Sequence, residues 1–156
     1  PPGELVRDII PFIEAKGYPA PKDLDWLEKM TATLKDRAKT LVELVEQAHY
    51  YLSDDISIDE KAAKKFLVPE IREPLNRLVQ KLSDLTNFSD GAVQQAFAEV
   101  LEQTGLSMGK LAQPVRVALT GSTISPGIHE VIAVLGKERT LKRLNAAMQS
   151  LDSPTQ

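Results

Sequence analysis

The chain has 156 residues, of which 42% are hydrophobic and 26% are charged, and it carries a net charge of −3. This length allows one medium domain or two small ones with a sizeable core, and the composition is ordinary for a globular protein. The absence of cysteine excludes disulfides, thiolate chemistry and cysteine-bound zinc, and no apolar run is long enough to cross a membrane. We expect a cytoplasmic protein. The start at Pro1, without methionine, suggests a processed chain or an excised fragment.

The first half of the chain reads as a series of helices, because apolar residues recur there at helical spacing. The first helix should end at Gly17, the second should begin after an N-cap at Asp23, and a third should span 41–52. A local basic patch lies where the second and third predicted helices meet, and it consists of Lys35, Arg37 and Lys39.

The segment SDDISIDEKAAKKFL follows and has the acidic spacing of a calcium loop. We reject a calcium site, because Glu60 occupies the position that needs glycine and Phe66 the position that needs a bidentate glutamate. Asp59 is instead the predicted cap of a short helix. The proline that follows this helix is our expected domain boundary, which gives two small helical subdomains, 1–68 and 69–156.

The second half continues the helical pattern, with an N-cap predicted at Ser89 and a helix end at Gly105. The stretch 110–143 then holds three short helical patterns, and the tail after Leu151 should be frayed. No alternation with the period of a strand persists, so the predicted fold class is all-α. The three patterns meet or end at the junctions Thr120-Gly121, Pro126-Gly127 and Gly136-Lys137.

The segment STISPG, between two of these patterns, combines hydroxyl groups with a proline and a glycine. Such a loop should expose its polar groups at the mouth of a helical scaffold. Six basic residues surround it in sequence, which makes it a plausible anion-binding site. They are Lys110, Arg116, Lys137, Arg139, Lys142 and Arg143.

The charge distribution permits RNA binding. Residues 106–147 carry a local charge of +4, whereas residues 1–105 sum to −6. A phosphate-binding face needs only local positive potential. The alternative is that these lysines and arginines simply cover solvated helix faces.

No catalytic constellation is apparent. His49 and His129 are the only histidines and have no metal-ligand spacing, and no motif supports a nucleophilic serine. The segment from Gly105 to Lys110 has one residue too few for a phosphate loop, and Leu111 follows where serine or threonine is needed. We therefore do not expect this chain to be an enzyme by itself.

One long segment carries a resemblance to a known family, namely GKLAQPVRVALTGSTISPGIHEVIAVLGKERTLKRL. It resembles the C-terminal end of bacterial-type glutamyl-tRNA synthetase, and KDRAKTLVEL and DEKAAKKFL extend the resemblance over nearly the whole chain. The catalytic Rossmann-type domain of that family has no counterpart here. The resemblance thus implies the excised anticodon-binding half, two helical subdomains forming an α-helix cage, without a cofactor of its own. The parent enzyme would use ATP and Mg.

The resemblance also implies roles for individual residues. In the family, a loop and a nearby arginine contact anticodon bases; they match Ser125, Pro126, Gly127, Ile128 and Arg116. A further arginine reads the last anticodon base and implies a synthetase that discriminates glutamate tRNA from glutamine tRNA; its nearest match is Arg37. The basic residues expected to support binding are Lys35, Lys39, Lys110, Lys137 and Arg139.

Two hypotheses of function follow. The first is a module that binds the anticodon loop of glutamate tRNA. This hypothesis requires the basic regions around Arg37 and Arg116 to converge on one face. The partners of the chain would be tRNA and the catalytic domain of the same parent chain. We expect a monomer without membrane contact. The second is a helical protein-interaction domain, an adaptor or assembly module, which predicts an exposed apolar groove.

Overall fold

The computed structural model describes residues 2–152, with side chains described from 5 to 151. The all-α prediction is confirmed, since this part of the chain contains helices and turns but no strand. Of the tail predicted to fray, residues 153–156 lie outside the described residues. No helix within 2–152 is both long and apolar enough to cross a membrane. The helices are α1 (Pro2–Ala15), α2 (Leu24–Leu34), α3 (Leu41–Gln47), α4 (His49–Leu52), α5 (Glu60–Phe66), α6 (Arg72–Asp84), α7 (Asp90–Thr104), α8 (Met108–Thr120) and α9 (Ile128–Asp152).

The chain forms two compact units, and the first ends at Ile56. In it, α1 packs against α2 and α3. The predicted cap of α2 is confirmed, because the Asp23 carboxylate accepts a hydrogen bond from the Trp26 N–H at 3.0 Å. The core of this unit includes the fully buried side chains of Ile9, Ile13, Leu27, Met30, Leu34 and Tyr51.

The helix predicted over 41–52 is interrupted. Helix α3 ends at Gln47 and α4 begins at His49, with Ala48 between them at φ −84° and ψ 5°. The Ala48 N–H is shared between the carbonyls of Leu44 and Val45, which tightens the last turn of α3. The break lets α4 bury two consecutive tyrosines, Tyr50 and Tyr51.

The second unit begins at Ser57 and is the larger one. Its helix α9 packs against α6, α7 and α8, and α5 packs against α8. The expected boundary after residue 68 therefore falls inside this unit. One reason is that the Asp59 N–H donates to the Gly121 carbonyl at 2.9 Å, which ties the start of α5 to the end of α8. The core includes Leu75, Leu78, Leu82, Phe97, Leu111, Leu119 and Ile132.

The ends of the helices in this unit confirm the sequence predictions. Ser89 caps α7, and α7 ends at Gly105 in the left-handed conformation (φ 76°). Helix α8 ends in the same way at Gly121 (φ 84°). Helix α9 starts directly after Gly127 and is interrupted at Gly136, whose φ of 85° and ψ of 170° are not helical. All three predicted junctions of the stretch 110–143 are thus real breaks in the backbone.

Candidate nucleic-acid interface

Helix α8 and the loop that follows it form the centre of the candidate site. Arg116, on α8, donates from Nε to the Ser125 hydroxyl at 2.8 Å. Its Nη1 donates to the Gln113 side-chain oxygen. The Ser125 hydroxyl in turn donates to the Pro126 carbonyl at 2.7 Å. The structure therefore brings together the arginine and the loop serine that the sequence selected separately.

The loop is held from within by two hydroxyl groups. Thr120, at the end of α8, donates to the Arg116 carbonyl at 2.8 Å and accepts from the Ser122 N–H at 3.2 Å. The Ser122 hydroxyl then accepts from the Ile124 N–H at 3.1 Å. These bonds fix the backbone in advance, so a ligand would not have to order it.

The exposure of the loop residues differs from the expectation. The Ser125 side chain is half-buried rather than exposed, Pro126 is buried, and Ile128 is only 4% exposed. The apolar side chain that the loop presents to solvent is Ile124, which is 78% exposed. Sequence reasoning missed this residue, although an isoleucine between hydroxyl residues in a short loop is itself a signal.

The basic residues around the loop divide into two groups. Lys110 and Lys142 are exposed. By contrast, the Lys137 Nζ donates to the Leu85 carbonyl at 2.7 Å, and Arg143, only 6% exposed, donates to the Leu119 carbonyl at 2.8 Å. These two cations satisfy carbonyl groups near the ends of α6 and α8.

Arg139 is half-buried. Together with the buried Arg143, it leaves the positive surface smaller than the local charge of +4 suggested. Charge counting treated every cation of this stretch as if it faced solvent.

The basic patch of the first unit lies in the turn between α2 and α3. Lys35, Arg37 and Lys39 are all exposed. The backbone at Arg37 is held, because its N–H donates to the Leu34 carbonyl and its carbonyl accepts from the Gln47 side chain at 3.1 Å. Within the described residues the Arg37 guanidinium forms no ion pair or hydrogen bond. A fixed backbone thus carries an exposed planar cation.

His129 is the titratable group nearest in sequence to the loop. Burial lowers its pKa from the ordinary value of 6.5, and the Asp90 carboxylate opposes this by raising it. Its ring meets Phe97 edge-on, with 5.0 Å between the centroids. Among the described residues, no three His, Cys, Asp or Glu side chains are placed to hold a metal ion.

A comparison with known protein families identifies the class of protein to which this chain belongs. Residues 4–148 match the anticodon binding domain family, and the chain therefore belongs to that family of tRNA anticodon-binding domains. The glutamate–tRNA ligase of Syntrophobacter fumaroxidans is 48% identical over 151 residues, which cover 97% of this chain and 32% of that protein. The corresponding ligase of Desulfosudis oleivorans is 44% identical over 154 residues, covering 99% and 33%.

Solved structures give the same result. A glutamate–tRNA ligase from Elizabethkingia meningosepticum, solved in complex with its amino acid, superposes with a TM-score of 0.82 at 27% identity, over 94% of this chain and 29% of that one. The glutamate–tRNA synthetase of Elizabethkingia anophelis shares the fold, with a TM-score of 0.79. The chain thus spans about a third of the length of its relatives and matches their C-terminal part, which confirms the resemblance found in the sequence.

Proposed function

We propose that this chain binds the anticodon loop of a glutamate tRNA, as the C-terminal part of a glutamate–tRNA ligase. The observation that supports this most directly is the hydrogen bond between Arg116 and Ser125, in a chain that belongs to an anticodon-binding family. The bond places a planar cation beside a loop whose backbone is already ordered. Unstacked RNA bases are recognised by such groups, through their exposed edges and their faces.

Each loop residue has a separate task in this proposal. Ser125 and the exposed backbone at Gly127 hydrogen-bond to base edges, whereas Pro126 and Ile128 support the loop from its buried side. Arg116 holds Ser125 and offers its guanidinium plane to a base or a phosphate. Lys110 and Arg139 support binding through charge.

Arg37, in the first unit, is proposed to read the last anticodon base. Its guanidinium is exposed on an anchored backbone and can donate two parallel hydrogen bonds. A cytosine presents two acceptors, O2 and N3, to such a fork, whereas a guanine presents donors on the same edge. Arginine here therefore favours a tRNA that ends its anticodon in C. Lys35 and Lys39, exposed beside it, are placed to contact phosphates.

The chemistry of aminoacylation is proposed to reside in the rest of the parent protein, in the cytoplasm, where ATP and Mg would bind. This chain contributes recognition and no catalytic group. Purified alone and as a monomer, it should not activate glutamate with ATP. Detectable aminoacylation by the chain alone would overturn this part of the proposal.

A binding titration tests the RNA hypothesis. An anticodon stem-loop of the glutamate type should bind more tightly than an unrelated stem-loop of equal length. Arg116→Ala should weaken binding of the glutamate type severalfold, whereas Lys142→Ala, which removes the same charge from an exposed position of α9, should change it little. Equal losses for both variants would mean that only net charge matters.

The second hypothesis, a helical protein-interaction domain, predicts an apolar groove. The two pockets characterised in the second unit are lined mainly by charged and polar side chains. They favour an ionic ligand over a partner helix.

A further inference from the structure

A pocket beside the recognition loop supplies a feature that the sequence did not suggest. It has a volume of about 330 Å³ and lies between α5, α8 and the loop. Its lining residues are Asp59, Lys61, Ala62, Lys65, Phe66, Gln113 and Thr123. All of them belong to the second unit, so the pocket is formed within one compact body.

Two cations of the pocket come from one face of α5. Lys61 and Lys65 are four residues apart, which places them on neighbouring turns of the helix, and both are exposed. The Lys65 Nζ lies 5.3 Å from the centroid of the Phe66 ring, a contact that orients the ammonium group. Neither lysine forms an ion pair with another of the described residues.

Helix α8 and the loop add neutral donors to the same pocket. The Gln113 side-chain oxygen is used by Arg116, so its amide nitrogen remains as the donor end. The Thr123 hydroxyl belongs to the loop itself and forms no hydrogen bond within the described residues. Four groups able to donate to an anion therefore line the pocket.

One acid lines the pocket as well. The Asp59 carboxylate accepts a hydrogen bond from the Ala62 N–H at 2.9 Å, as the N-cap of α5. Its charge is thus directed at the helix start, and the two lysines outweigh it. The pocket carries a net positive charge.

We infer that this pocket binds a backbone phosphate of the RNA whose bases are read by the adjoining loop. Gln113 links the two sites, because it lines the pocket and also holds Arg116, the partner of Ser125. The inference rests on the proposed function and adds the element that would fix the register of the strand, since phosphate contacts position a nucleic acid while base contacts specify it.

Three variants of α5 test the inference. Lys61→Gln and Lys65→Gln each remove one pocket cation, and Lys64→Gln removes an exposed lysine of the same helix that does not line the pocket. Replacing both pocket lysines should reduce the slope of log K against log salt by about 0.7, the value for one phosphate on a single strand. Each single pocket variant should reduce the slope by less than this, and the control should not change it. The preference among anticodon bases should stay unchanged in all three. Equal slopes for pocket and control variants would overturn the inference.

A neutral backbone linkage locates the phosphate. A methylphosphonate is placed at successive loop positions, and it should weaken wild-type binding wherever a phosphate is contacted. At the position held by the pocket, the variant with both Lys61 and Lys65 replaced should not respond to it. A second experiment adds millimolar inorganic phosphate to the complex of the chain with RNA, and chloride at equal ionic strength is the control. Displacement of the RNA by phosphate but not by chloride would assign the pocket to free phosphate instead.

The two proposals fail in different ways. If the chain binds stem-loops without preference but keeps the lysine-dependent response to methylphosphonate, anticodon recognition is wrong and the phosphate pocket stands. If the chain prefers the glutamate type and the pocket variants behave like Lys64→Gln, only the pocket is wrong. If no stem-loop binds at low salt, both proposals are wrong.

Discussion

Gly121 offers the sharpest test of how the second unit is held together. It ends α8 in the left-handed conformation, and its carbonyl accepts the Asp59 N–H at 2.9 Å. A Cβ at this position would clash with the Ser57 carbonyl oxygen, well inside van der Waals contact, and would lie 3.2 Å from the Ser57 carbonyl carbon. Gly121→Ala must therefore push the start of α5 away from the end of α8.

Gly105 provides a matched control. It ends α7 in the same left-handed conformation, but a Cβ there would meet nothing within 4 Å. Both substitutions cost about 1–2 kcal/mol for the left-handed backbone, offset by about 0.4–1 kcal/mol from the stiffer unfolded chain. Only Gly121→Ala adds the clash, about 1–3 kcal/mol, because backbone must move to relieve it.

Thermal unfolding measures the difference. For a unit of this size, about 1 kcal/mol corresponds to a Tm change of about 4–8 °C, so Gly121→Ala should lower the Tm by clearly more than Gly105→Ala. Far-UV circular dichroism follows all helices, while fluorescence of Trp26, the only tryptophan, reports on the first unit as an internal control. Equal shifts for the two variants would refute the close approach of α5 and α8.

Three further predictions concern side chains of the second unit. Arg116→Lys keeps the charge but loses the planar guanidinium that binds Ser125. The affinity for the glutamate stem-loop should therefore fall severalfold, while the salt dependence of binding stays the same. An unchanged affinity would mean that charge alone matters. Lys137→Gln removes a charged donor from the carbonyl at the end of α6, so it should lower the free energy of unfolding in urea by about 1 kcal/mol. The salt dependence of RNA binding should change little. If the variant instead keeps its full stability and binds RNA with a smaller salt dependence, Lys137 contacts the RNA. Because burial lowers the pKa of His129, the folded state binds fewer protons than the unfolded state below pH 6.5. The free energy of unfolding should therefore have its full value above pH 6.5 and decline as pH falls through the lowered pKa. His129→Gln should flatten this decline, as measured by urea midpoints on both sides of pH 6.5.

The helices and their ends could be predicted from the sequence because their causes are local. Asp23, Ser89 and Gly105 act on backbone groups within one turn, so the residue type alone specifies the cap. The break at Ala48 could not be predicted. The apolar pattern continues through it, and what favours the interruption is the burial of Tyr50 and Tyr51 in a core formed by other helices.

The site was predictable in its parts but not in its geometry. A resemblance could select Arg116 and Ser125, yet their hydrogen bond depends on how the chain turns after α8. Over a few residues the chain exposes Ile124 in the loop and buries Ile128 at the start of α9, and helical periodicity does not predict this difference. Arg143 shows the limit of charge counting, since packing against the end of α8 removes it from the surface.

One titration tests the central claim most directly. The chain is titrated with a glutamate-type anticodon stem-loop and with a copy in which the last anticodon base is changed from C to G, at low and at near-physiological salt. Base readout through Arg37 predicts a preference for C that persists as salt rises, and that Arg37→Ala removes without equal loss for both RNAs. Binding without preference, or a preference that survives Arg37→Ala, would contradict the assignment of this arginine as the reader of the last base.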